Sequence, residues 1–416
     1  VLTWSLGWFA LGSLICGLSG SIGLLIAGRV VQGFGAGVAP LALALARDHV
    51  PAARLTMVVG MLVAAGSVGA VIGLLLAGVL VDHVSVQAIF WVLFAAAVML
   101  VVMVRTAVPE SAERTQAPLD LLGAFVLGSA LGSLTLAVSQ GNAWGWGSLR
   151  TVLLFVAAAG LLVVFVARER TAAAPLLDPR ALGLRSIWSA NVAICGLGFS
   201  LLIVFTLVPL LGGYPKLTGY GLGLSTTQIG LVLVPSSIAT LLAGLLGGRL
   251  VPRTGARAQA LCGTLLATTT YVALALLHPS VAALTLATIP LGAGVGLALG
   301  AITDLVALAS PPAQTAATVG LNTVIRTVAA ALGTQVTIAV LTAASRLLPA
   351  AHGVAAHAGA RAGAGVPPRL LAVLRIPAHS GFTSAFWMAA AATLVALLAV
   401  ALTPPRHADP ALAVRD

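Results

Sequence analysis

Twelve apolar runs follow one another along this chain, with short polar segments between most of them. The hydrocarbon core of a bilayer is about 30 Å thick, and an α-helix needs about 20 apolar residues to cross it. Because backbone N–H and C=O groups cannot remain unpaired in lipid, each run is expected to form a helix. We therefore predict an all-α integral membrane chain with about twelve transmembrane helices. The runs span residues 2–20, 22–46, 55–81, 86–107, 119–138, 150–167, 186–211, 227–248, 258–277, 281–309, 315–343 and 382–403.

The charge content excludes most classes of soluble protein. Only 7% of the 416 residues are charged, and 60% are hydrophobic, whereas a soluble protein carries about 25% charged residues. The formal net charge is +11. A nucleic-acid partner would require basic residues clustered on one face, but here they fall between the apolar runs. We predict a lipid bilayer, and no nucleic acid, as the surroundings of this chain.

The basic residues also predict an orientation, because cytoplasmic loops carry an excess of Lys and Arg. An even number of spans puts both chain ends on one side. With that side in the cytoplasm, the inner segments hold Arg47, Arg54, Arg105, Arg114, Arg168, Arg170, Arg180, Arg185, Arg249, Arg253, Arg257, Arg406 and Arg415. The outer segments hold only Arg150, Lys216, Arg346, Arg361, Arg369 and Arg375. We predict a multi-pass protein of a bacterial cell (inner) membrane with both ends of this chain cytoplasmic.

Metal, cofactor and enzyme chemistry find no support in the sequence. The three cysteines lie inside apolar runs and the seven histidines are scattered, so no spacing predicts a metal site. There is no nucleophile–base constellation and no phosphate-binding glycine-rich loop. We therefore predict no metal, no cofactor and no enzymatic activity.

Arg29 is the most informative charge, because an ion inside the membrane is costly and usually functional. It lies seven residues into the second run, about 10 Å deep. Gln32, Gly33 and Gly37 share its helix face, which suits close packing around a buried charge. The alternative is an arginine that extends to the membrane surface.

Four further polar residues are candidates for proton or substrate contact. Asp82 ends the third run next to His83, where an interfacial charge pair is the alternative. Asp304 lies about 35 Å along its run, at or beyond the predicted cytoplasmic boundary. Arg326 lies about eleven residues into its run, near the midplane, with Asn322 one turn earlier. Arg326 either contacts substrate or a coupling group, or ties helices together.

Two other groups of residues are predicted to serve packing, gating or anchoring. The third run carries Gly60, Gly66, Gly69, Gly73 and Gly78. Small residues recur every four positions at Ala65, Gly69, Gly73 and Ala77, which gives a groove for a neighbouring helix. One short inner loop carries Arg249, Arg253 and Arg257, whose charges suit a gate or caps of helix C-termini. Arg47, Asp48 and Arg54 form a similar inner loop, for which a solvated surface role is the alternative. Trp144 and Trp146 are predicted interface anchors. Residues 344–381 are predicted to form an irregular loop.

The run from Leu25 to Gly37, which contains Arg-Val-Val-Gln-Gly-Phe-Gly from Arg29, resembles the fourth-helix motif of drug:proton antiporters in the major facilitator superfamily, an Arg-x-x-Gln-Gly-x-Gly pattern. Gly60, Gly69, Gly73 and Gly78 match the spacing of the same group's fifth-helix motif. The chain departs from that motif at Leu74, where Pro is usual, and at Ala77, where Gly is usual. Three later segments also resemble the fourteen-helix branch: Leu119–Gly123, Ser139–Gly141 and the basic Gly248–Arg257 loop. Asn322 and Arg326 sit where that branch often has Asn and Arg.

The resemblance implies a division of the chain. Residues 1–107 would be a partial first bundle of four helices that lacks its first two. Residues 108–185 would hold a central helix pair, and residues 186–416 a six-helix bundle. Residues before Val1 would supply an acidic partner for Arg29, which completes a proton-coupling pair in this family.

The function implied is proton-driven export of an amphipathic small molecule, such as a drug, by alternating access between two bundles. Its partners would be the substrate, protons and lipid, and members of the superfamily generally work as monomers. One alternative is a transporter of the same fold that moves a metabolite or an anion. Another is an inactive, truncated membrane protein.

Overall fold

The computed structural model describes residues 2–38, 41–42, 45, 69, 72–107, 121–171, 185–218, 220–276, 280–310, 315–347 and 375–403. Twelve α-helices have described bounds. They are α1 Leu2–Gly17, α2 Ile22–Gly33, α3 Ile72–His83, α4 Val86–Ala107, α5 Leu121–Trp144, α6 Leu149–Thr171, α7 Arg185–Gly213, α8 Thr226–Thr254, α9 Ala256–Leu276, α10 Val281–Ala309, α11 Thr315–Ala343 and α12 His379–Ala401. Short 3₁₀ segments cover Phe34–Gly37 and Lys216–Thr218.

The predicted all-helical membrane fold is confirmed. Within the described ranges, the nine helices α4 to α12 are each long and apolar enough to cross a bilayer. The predicted runs 281–309 and 315–343 coincide with α10 and α11. Helices α1, α2 and α3 are described over shorter lengths. Ser21 and Ser280 cap α2 and α10, since their side chains accept hydrogen bonds from backbone N–H groups of the first turn.

The chain divides into two compact units. Unit 1 contains residues 1–116 and 224–241, and unit 2 contains residues 117–223 and 242–416. The first part of α8 thus belongs to unit 1 and the rest to unit 2. The central pair α5 and α6 belongs with the helices that follow it. The three-part division at residues 107 and 185 stays a prediction.

In unit 1, glycines let α1 and α2 approach closely. A Cβ added to Gly28 would lie 2.6 Å from Cys16 Sγ, and one added to Gly35 would lie 2.5 Å from Phe9 Cβ. Gly33, which the sequence placed on the packing face, has open space around it. The stripe of small residues therefore faces α1 through Gly28 and Gly35.

In unit 2, glycines likewise let α9 and α10 approach closely. A Cβ on Gly263 would lie 2.6 Å from Gly294 O, and a Cβ on Gly294 would lie 2.7 Å from Gly263 O. The two backbones are therefore in direct contact. The hydroxyl of Tyr271, which is fully buried, donates to Ser200 O at 2.6 Å and so ties α9 to α7.

The prediction of an irregular loop over residues 344–381 is wrong at both ends of the segment. Ser345–Leu347 forms a strand, β1, that pairs antiparallel with β2, Arg375–Pro377. The Tyr220 hydroxyl donates to Pro377 O at 2.6 Å. This bond fixes β2 beside the turn that precedes α8.

The central pair is joined to α11 by one asparagine. Asn142 Nδ2 donates to Ala339 O and to Thr342 Oγ1, both at 2.7 Å. Its Oδ1 accepts a hydrogen bond from Trp146 Nε1 at 2.8 Å, and the Trp146 ring packs on Gly141. Trp146 therefore orients Asn142, a role beyond the predicted interface anchor.

Helix α8 extends six residues past its predicted end, to Thr254. The predicted basic loop is reduced to Gly255, whose φ of +78° suits glycine. Arg249 and Arg253 are consequently exposed side chains in the last turns of α8. Arg257 Nη2 donates to Ala401 O at 2.7 Å and so caps the C-terminal end of α12.

Candidate functional site

Arg29 belongs to a chain of hydrogen bonds between α1 and α2. Its Nη1 donates to Gln32 Oε1 at 3.1 Å, and Gln32 Nε2 donates to Ser13 Oγ at 2.8 Å. The Ser13 hydroxyl in turn donates to Phe9 O at 2.8 Å. Ser13 and Gln32 are buried, so the side-chain atoms that form these hydrogen bonds are fixed in position. We call Ser13, Gln32 and Arg29 the arginine network.

Phe90 of α4 supports the same arginine from another side. Arg29 Cζ lies 4.9 Å from the centre of the Phe90 ring, and the ring is only 3% exposed. The arginine itself is exposed. A guanidinium at this distance from an aromatic face is attracted by the ring quadrupole. Arg29 is therefore held on two sides, while its other N–H groups make no hydrogen bond to a described residue and are available to a further partner.

A second polar group lies between α7 and α11 in unit 2. Asn322 Nδ2 donates to Asn191 Oδ1 at 3.0 Å, and both residues are buried. Arg326 lies one turn further along α11 and is half-buried. A Cβ added to Gly198 would lie 2.5 Å from Arg326 O, so α7 and α11 are in backbone contact at this level. We call Asn191, Asn322 and Arg326 the Asn–Arg cluster.

Asp304 of α10 is half-buried. It makes no hydrogen bond or ion pair with another described residue. It belongs to unit 2, whereas the arginine network belongs to unit 1. Its proposed part in proton transfer stays a prediction.

Asp82 has a definite structural partner. Its Oδ2 accepts from the Thr227 hydroxyl at 2.6 Å and from Thr227 N–H at 2.7 Å, and its Oδ1 accepts from Thr226 N–H at 3.1 Å. Asp82 therefore caps the N-terminus of α8, where a negative charge also meets the positive end of the helix dipole. It follows the predicted span 55–81. The Thr227 hydroxyl and N–H hold the pKa of this carboxyl below its usual range, although desolvation opposes them.

The glycines of the predicted antiporter helix differ in their surroundings. A Cβ on Gly78 would lie 3.0 Å from Thr227 Cα, so this glycine lets α3 approach α8 beside the Asp82 cap. Gly69 and Gly73 have open space around them. Gly60 and the predicted gate residues Arg47, Asp48 and Arg54 lie outside the described residues. In the part of the chain that the structure describes, no three His, Cys, Asp or Glu side chains could hold a metal ion.

The family model of the Major Facilitator Superfamily matches residues 1–334. This match includes the arginine network, the Asp82 cap and the Asn–Arg cluster. The chain belongs to the major facilitator superfamily. It is therefore a multi-pass membrane protein of a family of transporters, and the predicted fold family is confirmed.

Two curated relatives carry names that mention resistance or export. The chain is 32% identical over 341 residues to the multidrug resistance protein Stp of Mycobacterium tuberculosis, covering 80% of this chain and 61% of Stp. It is 30% identical over 434 residues to the tetracenomycin C resistance and export protein of Streptomyces glaucescens, covering 97% of this chain and 78% of that protein. An uncharacterised MFS-type transporter of M. tuberculosis, 36% identical, is matched over only 36% of its length and 61% of this chain.

Solved structures agree on the fold. A POT family transporter in complex with 5-aminolevulinic acid superposes with a TM-score of 0.61 at 11% identity, covering 97% of this chain and 80% of that chain. At this identity the likeness concerns the fold alone.

Sequence reasoning found Arg29, Gln32, Asn322 and Arg326 but missed their partners. Ser13 and Asn191 are polar residues inside apolar runs, and that feature alone was a usable signal. Phe90 gave none, because an aromatic residue in an apolar run is the ordinary case.

Proposed function

We propose that this chain is the transport-bearing part of a proton-coupled exporter of amphipathic small molecules. The observation that carries the proposal is the arginine network. Arg29 is oriented by a buried glutamine and an aromatic ring, and it retains free N–H groups within a segment that has the drug:proton antiporter pattern. The names of Stp and of the tetracenomycin C exporter support the same activity.

The proposed coupling uses the charge of Arg29. A carboxylate that pairs with this guanidinium is ionised in one conformation of the transporter. When the carboxylate takes up a proton, the ion pair is weakened and the alternative conformation is favoured. Substrate then leaves on one side of the membrane in exchange for protons entering from it. We propose that the protein works as a monomer in the cell membrane with both ends of this chain cytoplasmic.

The test uses the full-length protein from its native gene, reconstituted in liposomes with a pH-sensitive dye inside. Rhodamine 123 serves as the amphipathic probe. We expect its transport to move protons in the opposite direction, and Arg29→Gln to abolish that proton movement. Arg105→Gln is the matched control, since Arg105 is an exposed arginine in the last turn of α4. Proton flux that is independent of substrate, or unchanged in Arg29→Gln, contradicts the proposal.

A further inference from the structure

The Asn–Arg cluster contains side-chain donors and acceptors that form no hydrogen bond with a described residue. One hydrogen bond joins Asn322 Nδ2 to Asn191 Oδ1. This bond leaves the other amide NH2 group and the other amide oxygen without a partner among the described residues. If the O and N positions of both amides are exchanged, one NH2 group and one oxygen are still left over. Arg326 makes no hydrogen bond or ion pair with a described residue. Its five N–H groups are all donors.

These free atoms face accessible space. Among described side chains, none of the buried polar atoms that lack a partner belongs to Asn191, Asn322 or Arg326. The free amide atoms of Asn191 and Asn322 and the Arg326 guanidinium are therefore open to the surface, although both asparagines are buried as whole residues. The cluster consequently presents unpaired polar atoms at an accessible surface.

The depth of the cluster makes this arrangement significant. The candidate span in α11 runs from Thr318 to Ala343, so Arg326 lies about 12 Å inside it at 1.5 Å per residue. Asn191 lies about 9 Å into α7 by the same measure. Arginines that extend to the interface sit near helix ends. An arginine inside a membrane span usually pairs with another group, and the described residues supply no partner for Arg326.

The chemistry of the free groups selects the partner. The planar guanidinium matches two oxygens of one carboxylate, or a single phenolate oxygen, better than any neutral group. The free amide donor adds a second hydrogen bond to the same anion. The free amide acceptor suits a hydroxyl or N–H beside the acid.

We propose that the Asn–Arg cluster binds the anionic oxygen-bearing group of the transported compound. The substrates then include amphipathic acids, carboxylates or phenolates, that carry a hydrogen-bond donor close to the acid. This inference rests on the proposed export function and specifies its substrate class. It assigns substrate binding to unit 2, whereas the arginine network of unit 1 serves coupling.

The test compares two dyes that share a xanthene ring system and differ in charge. Fluorescein is the anionic probe and rhodamine 123 the cationic one. Binding to the full-length protein in lipid nanodiscs is measured by fluorescence anisotropy at one pH, without a gradient. We expect Arg326→Gln to weaken fluorescein binding at least about tenfold, since hydrogen bonds to charged groups are the strong ones. Rhodamine 123 binding should change less than about twofold.

Two controls keep the result specific. Arg105→Gln removes one positive charge at a helix end and should leave both dissociation constants unchanged. Asn322→Ser replaces one amide by a shorter hydroxyl group and leaves the charge of the cluster unchanged. It should weaken fluorescein binding by about three- to tenfold. If Arg326→Gln fails to fold, Asn322→Ser and Arg326→Lys decide the question by the same comparison.

Several results overturn the proposal. They are a wild-type protein that does not bind fluorescein, an equal loss of both dyes in the variant, or unchanged fluorescein binding in every folded cluster variant. Because the assay needs no proton gradient, a failure of proton coupling leaves its result untouched. Conversely, proton-driven export of rhodamine 123 without fluorescein binding would contradict only the proposed substrate class and not the export function.

Discussion

Phe90 lies against Arg29, with 4.9 Å between the guanidinium carbon and the ring centre. The two residues come from α4 and α2, so the contact depends on the packing of helices that are far apart in the sequence. Gln32 holds the same guanidinium through its Oε1. Together Phe90 and Gln32 fix the orientation of the Arg29 guanidinium. Without these contacts its charge would be unfavourable among apolar side chains and its position would not be fixed.

Replacing Phe90 by Leu should slow proton-coupled transport while the protein still folds. A cation–π contact at an exposed site contributes about 0.5–1 kcal/mol, which corresponds to a two- to fivefold lower rate. Phe90→Trp should keep the rate, because Trp offers a larger π-face. Phe94→Leu, one turn along α4, is the matched control. Equal rates for Phe90→Leu and wild type in proteoliposomes would contradict this reading of the contact.

Arg29 could be predicted as a site residue from the sequence, whereas Phe90 could not. A charge inside an apolar run is conspicuous in the sequence, and so Arg29 and Arg326 were found without a structure. Helix number and most helix ends also followed from apolar length. Phe90 was invisible, because its significance lies only in which neighbour it meets. The Asp82 cap was missed for the same reason, since Thr227 lies 145 positions away.

Asp82→Asn should lower the melting temperature by a few degrees. Asparagine keeps an acceptor for one N–H of the α8 terminus but loses the charge that meets the helix dipole. Thr227→Val removes only the hydroxyl donor and should have a smaller effect. His83→Asn, at the neighbouring position, should have almost none. If Asp82→Asn melts at or above the wild-type temperature, the cap does not stabilise unit 1.

The pH dependence of that difference has a definite sign. The folded-state pKa of Asp82 lies below the ordinary value of 3.8, so the unfolded chain binds the proton more readily. The contribution is complete above about pH 5 and is lost as the pH falls through 3.8 toward the folded pKa. Thermal melts of wild type and Asp82→Asn should therefore differ by a constant amount from about pH 5 to pH 8. A difference that changes near neutral pH would point to another group.

Gly294→Val should destabilise unit 2, because its new side chain meets backbone atoms of α9. The Cβ position lies 2.7 Å from Gly263 O and 2.9 Å from Ala267 N. Overpacking of this kind costs about 1–3 kcal/mol. Gly300→Val on the same helix is the control, since nothing lies within 4 Å of its Cβ position. Equal melting temperatures for the two variants would show that α9 and α10 separate more easily than the structure indicates.

Variants of Trp146 and Trp144 distinguish the hydrogen bond to Asn142 from anchoring at the membrane interface. Trp146→Phe removes the N–H that orients Asn142 and should cost about 1 kcal/mol. Trp144→Phe, two residues earlier on an exposed side chain, should cost clearly less. Asn142→Ala should cost more than either, because Ala339 O and Thr342 Oγ1 lose their donor. Similar losses for both tryptophan variants in unfolding experiments would favour anchoring alone.

Gln32 and Ser13 should behave as one energetic unit. Ser13→Ala removes the acceptor of Gln32 Nε2, and Gln32→Met removes the acceptor of Arg29 together with the donor to Ser13. Since both side chains are buried, each single variant leaves a polar group unpaired and should cost about 1–3 kcal/mol. The double variant should cost less than the sum by about 0.5–1.5 kcal/mol. The free energies of unfolding in mixed micelles complete the cycle. Strict additivity would mean that the 2.8 Å bond between them contributes nothing, and Gln32 would then hold Arg29 without support from Ser13.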